Sequence, residues 1–72
     1  MMGNYKAALK TYEEVGKIRK EVLGDHDPSY LTTKHNIGVC LKIMGNYKDA
    51  LNTFEEVEKI RKEVLADHSR HG

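Results

Sequence analysis

The sequence predicts an all-α fold of three helices joined as antiparallel hairpins, and three observations lead there. Residues 2 to 26 return as residues 44 to 68, a period of 42, with five differences over 25 paired positions: Ala7/Asp49, Lys10/Asn52, Tyr12/Phe54, Gly16/Glu58 and Gly24/Ala66. Repetition at a period of about 20 to 50 residues marks a solenoid, in which each unit buries its apolar face on its neighbour. Both copies space their apolar side chains by threes and fours, the period of one helix face. Between the copies lies a shorter segment with a helix start at Asp27-Pro28 and a helix stop at Gly45.

The first helix is expected over residues 4–23. Tyr5, Ala8, Tyr12, Val15, Ile18 and Val22 trace its apolar face, Asn4 is placed as its N-cap, and Gly24 supplies a left-handed backbone just past its end. The middle helix is expected over 28–44. Asp27 caps it, and Pro28 takes the first helical position, where a missing N–H costs nothing. Tyr30, Ile37, Leu41 and Met44 form its stripe, with Cys40 beside it. Gly38 inside this helix costs up to about 1 kcal/mol relative to alanine, which predicts a close approach by another helix.

The third helix, over 47–66, repeats the first with Tyr47, Ala50, Phe54, Val57, Ile60 and Val64 behind an Asn46 cap. Ala66 in place of Gly24 predicts a less definite end. Glu13/Lys17 and Glu55/Lys59, four apart with the acid first, are spaced for helix-surface ion pairs. Tight turns join the helices, so neighbours should pack antiparallel. Residues 1–72 form a single domain, near the lower size at which one core supports itself.

Composition narrows the functional classes. No run of about 18 apolar residues is present to cross a membrane, and the first residues lack the apolar stretch of a secretory signal. A lone cysteine, Cys40, excludes an intrachain disulfide and fits a reducing, cytoplasmic setting. Twelve basic residues against eleven acidic ones, interleaved along the chain, leave no field to attract nucleic acid or an anionic membrane. No phosphate-binding glycine loop, paired catalytic carboxylates or serine triad pattern occurs, so no enzymatic activity and no cofactor are expected. Cys40 reads as a small core residue, with His35 five positions away and aimed elsewhere. The histidines raise incidental metal binding as an alternative. However, Asp25-His26-Asp27 and the tail set of Asp67, His68 and His71 offer too few ligands at good spacing.

The middle and last segments carry Asn36-Ile37-Gly38, Leu41, Gly45-Asn46-Tyr47, Ala50, Phe54 and Val57, and the first carries Gly3-Asn4-Tyr5, Ala8, Tyr12 and Val15. This alternation of large and small residues resembles the tetratricopeptide repeat. The period of 42 and the connector Gly24-Asp25-His26-Asp27-Pro28 resemble the longer repeats of the kinesin light chain type. The resemblance covers residues 2 to 68 and implies one and a half repeats: the second helix of one, then a full helical pair. Lys34 stands where the family places a large aromatic, with Tyr30 close enough in sequence to fill part of that space. The chain reads as a slice of a longer array or a small protein built from one.

The resemblance implies a protein–protein interaction module. Its groove face would be Thr32, His35, Asn36, Val39 and Lys42 on the middle helix, contacting a protein or peptide. Val39 stands where the family's carboxylate-binding amide would fall. The packing is expected from Tyr5, Ala8, Leu9, Tyr12, Val15, Ile37, Gly38, Leu41, Ala50, Leu51, Phe54 and Val57. The first and last helices each lack a neighbour on one side, and they agree at 20 of 25 positions, so each can stand in for the other. Self-association is therefore expected, by swapping or by stacking, with a closed two-fold dimer the commonest form of homo-oligomer.

Overall fold

In a computed structural model that describes residues 4–70, the chain forms α1 (Tyr5–Leu23), α2 (Pro28–Ile43) and α3 (Tyr47–Arg70). α2 lies between the other two, and among the described residues α1 and α3 do not pack directly on each other. The molecule measures 47 × 24 × 17 Å. A helix with its side chains is about 10–12 Å across, so no part of this slab is far from water. The core is two seams, one along each side of α2.

Local signals set the helix ends. Asn4 Oδ1 accepts from the Ala7 N–H at 3.4 Å. The Asp27 carboxylate accepts from the N–H groups of Ser29 at 2.8 Å and Tyr30 at 3.2 Å, which satisfies two donors at the start of α2. At the far end Gly45 adopts φ +91°. There the Asn46 N–H donates to the Leu41 carbonyl at 2.8 Å and the Gly45 N–H to that of Lys42 at 3.0 Å, a Schellman closure. Gly24 also takes φ +91° and turns the chain out of α1. Its counterpart Ala66 does not, and α3 runs on to Arg70, beyond the expected end at residue 66.

The α1–α2 seam centres on Gly16, where a Cβ would lie 3.4 Å from Thr33 Cγ2. Beside it Arg19 Nη1 donates to the Ser29 carbonyl at 3.3 Å and to Thr33 Oγ1 at 3.2 Å, while that hydroxyl donates to the same carbonyl at 2.9 Å. Thr33 is buried, and this network satisfies it. The α2–α3 seam centres on Gly38, where a Cβ would fall 2.6 Å from Phe54 Cε1. Ala50 and Val57 of α3 are buried in it, Val57 the most completely.

Several sequence expectations are corrected here. The α1 stripe is not a buried face: Gly16 is the buried residue of α1, while Tyr5, Ile18 and Val22 are exposed and Ala8, Leu9, Tyr12 and Val15 half-buried. The reason is that α2 packs against the side bearing Gly16 and Arg19, so part of the stripe faces no helix. Leu51 and Met44 are likewise exposed, whereas Tyr30, Leu31, Thr33, Gly38 and Cys40 are all buried in α2. α2 packs against a helix on each side, so its buried positions run round more of the helix than a single stripe. Ile37 and Leu41 are half-buried. Among the described residues the pairs Glu13/Lys17 and Glu55/Lys59 do not come within ion-pair distance.

Two polar contacts tie α3 to the rest instead. Lys34 Nζ lies 2.9 Å from Glu56 Oε1 and over the Tyr30 ring at 5.8 Å. Partial burial acts to lower the Lys34 ammonium pKa, but the Glu56 carboxylate and Tyr30 outweigh it and hold the value above the ordinary one. In the α1–α2 connector, His26 Nδ1 lies 2.7 Å from Asp25 and its Nε2 3.3 Å from Glu63 of α3. The hydrogen bond to Asp25 raises the His26 pKa above its ordinary 6.5. Desolvation works against this, and Glu63 adds to the rise.

Two expectations follow from these contacts. Gly38→Leu should destabilise the fold by about 1 to 3 kcal/mol or more, because the new side chain must displace the Phe54 ring; a denaturant melt matching the parent would remove the close contact from its central place. The His26 contribution to stability should be fully present below about pH 6.5, the unfolded value, and fade as pH rises through the higher folded value. Melting of the parent and of His26→Asn should therefore separate at acidic pH and converge at alkaline pH, and a constant gap would assign the histidine a packing role only. The groups are exposed, so the separation should be small.

Candidate interaction surface

The internal repeat compares one set of side chains in two surroundings. On α3, Ala50 is 3% exposed and Val57 2%, and Ile60 and Val64 are half-buried. Their counterparts on α1 fare differently: Ala8 and Val15 are half-buried, Ile18 is 60% exposed and Val22 74%. α2 accounts for the difference, because it covers this face of α3 and a different face of α1. One side of α1 is therefore an uncovered apolar surface.

α3 has the complementary deficit. The face through which α1 receives α2, marked by Gly16 and Arg19, corresponds on α3 to Glu58 and Arg61, and both are exposed. Between that face and α2 runs a groove. One stretch of about 520 Å³ is lined by His35 of α2 and by Leu51, Phe54, Glu55, Val57, Glu58 and Arg61 of α3. The next stretch is lined by His26, Pro28, Leu31 and Thr32 opposite Arg61, Val64 and Leu65. Leu51 is 57% exposed and Leu65 65%. The His35 and Phe54 rings lie 5.2 Å apart with a tilt of 48°, so the histidine packs against the aromatic edge of the groove.

The groove-face residues expected from the sequence are divided by this geometry. Thr32 and His35 line the α2–α3 groove. Val39 and Lys42 are exposed on α2 outside the lining of that groove, and Asn36 is half-buried. Glu58, Arg61 and Leu65 were not singled out from the sequence. The signal was present in the pair Gly16/Glu58, a change from no side chain to a charged one at an otherwise repeated position.

Other chemistry is sparse. Cys40 is buried as a free thiol. Among the described residues no group of three His, Cys, Asp or Glu side chains is placed to hold a metal ion; the side chains of Asp67 and His68, and His71 entirely, lie outside the described residues. No helix is long and apolar enough to cross a membrane.

No curated protein and no solved structure matches the chain. A sequence model of the tetratricopeptide repeat matches residues 1–63. That span holds α1, α2 and most of α3, with the two glycine-bearing seams in place. The chain belongs to the tetratricopeptide repeat family.

Proposed function

We propose that this protein is a non-catalytic protein–protein interaction module that assembles with further copies of itself through the uncovered sides of α1 and α3. Membership of the family supports the interaction role. The observation that carries self-association is the repeat comparison: Ile18 and Val22 stand open on α1, whereas the same residue types, Ile60 and Val64, are half-buried on α3. Covering apolar surface is worth roughly 25 cal/mol per Å², and a patch of this kind marks an interface. The 42-residue period and the Gly24 to Pro28 connector support the kinesin-light-chain-type reading of the repeat.

A second reading keeps a partner peptide on the outer face of α2. Thr32, His35, Val39 and Lys42 are exposed there, and Asn36 lies half-buried among them. One such helix offers a short contact, which is why self-association is preferred. Protein or peptide partners, with no role for nucleic acid or membrane, fit the near-neutral, interleaved charge.

Size exclusion with light scattering, over about a hundredfold range of chain concentration, tests the proposal by mass action. The expected result is a species of twice the 8.2 kDa chain mass whose share grows with concentration. A constant monomer would overturn self-association and turn the search to peptides for the α2 face.

A further inference from the structure

The two receiving helices differ at one place that decides what can dock on α3. On α1, a Cβ at Gly16 would stand in contact with the Thr33 methyl of α2, at 3.4 Å. On α3 the same position is Glu58. A second copy's α2, docked on α3 as α2 docks on α1, would set the Thr33 methyl against the stem of the Glu58 side chain and cover its carboxylate. An uncompensated buried carboxylate is costly, so the face favours an occupant that answers it over a second α2-type helix.

The α3 stripe answers itself. Phe54, Glu58, Arg61 and Leu65 line the groove beside α2 and are spaced by four, three and four. The order is apolar, acidic, basic, apolar, symmetric about the midpoint between residues 59 and 60. If two α3 helices run antiparallel across a two-fold axis at that midpoint, each Glu58 faces Arg61 of the second copy, and each Phe54 faces Leu65. Among the described residues neither Glu58 nor Arg61 is held in an ion pair within its own chain. The α1 counterpart, Tyr12, Gly16, Arg19 and Leu23, has no acid, and its arginine is already bound to Ser29 and Thr33.

We infer that the α2–α3 groove is a two-fold dimer surface whose occupant is α3 of a second copy, held in register by reciprocal Glu58–Arg61 pairs. The inference rests on self-association as proposed above and assigns the two-fold contact to the open side of α3, leaving the α1 surface of Ile18 and Val22 outside it. Opposite charges across an interface fix register and exclude wrong alignments, and an isologous patch must be self-complementary in this way.

Charge reversal tests it, with light scattering as the readout and circular dichroism to verify helix content. Glu58→Arg sets arginine against arginine at both contacts, and Arg61→Glu sets glutamate against glutamate. Each single variant should weaken the dimer by about tenfold or more. The two variants mixed should form a one-to-one heterodimer, because every contact then joins opposite charges, and the double variant should dimerise like the parent. If the single variants dimerise as well as the parent, the surface lies elsewhere and self-association stands. If they weaken but neither the mixture nor the double variant recovers, the two-fold pairing is wrong. A parent that stays monomeric overturns the underlying reading and this inference with it.

Discussion

The approach of the Phe54 ring to the bare backbone at Gly38 sets how α2 and α3 lie, and most other contacts follow from it. With no Cβ at residue 38, the ring rests where a side chain would stand 2.6 Å away. That closeness lets Ala50 and Val57 sink into the seam as its most buried side chains. It also brings His35 against the ring and fixes the near wall of the α2–α3 groove. The helix-propensity cost of a mid-helix glycine, up to about 1 kcal/mol, is offset by this burial.

The molecule holds two near-identical helices and one helix to serve both. α2 satisfies a different face of each, so each is left with one face covered and one open. Sequence identity therefore does not produce identical environments. The same valine type is 2% exposed at Val57 and half-buried at Val15. A slab only 17 Å thick in its shortest dimension has little interior in which to hide the surplus apolar surface. Its charges do part of the work instead: Lys34 reaches Glu56, and His26 spans Asp25 and Glu63, so the connector and α2 are both anchored to α3.

Much of this fold was legible in the residues. The period of 42, the Asp27-Pro28 start, the glycine stops and the demand for a close contact at Gly38 all have local physical causes, and they define three helices in the right places. Burial was harder to read. An apolar stripe such as Tyr5, Ala8, Tyr12, Val15, Ile18 and Val22 tells which side of a helix is apolar, but not which side its one available neighbour will choose. α2 takes the side that bears Gly16 and Arg19, and Gly16 has no side chain to announce it. The burial of Thr33 was hidden for a similar reason, since its polarity is answered only in three dimensions, by Arg19 and the Ser29 carbonyl. Of the candidate interaction residues, Thr32 and His35 were found from the sequence, while Glu58 and Arg61 become meaningful only once α1 shows what their counterparts touch.

The contrast between Gly24 and Ala66 has a consequence for how such a chain is punctuated. The stretch Lys-Glu-Val-Leu, then one variable residue, then Asp-His occurs twice. With glycine at the variable residue, a positive φ turns the backbone and the Asp-His pair falls in the connector; with alanine the same pair continues the rod of α3. One methyl group, together with the Asp27-Pro28 that follows only the first copy, thus separates a comma from an unbroken line, so that one copied segment ends a hairpin and the other lengthens a helix.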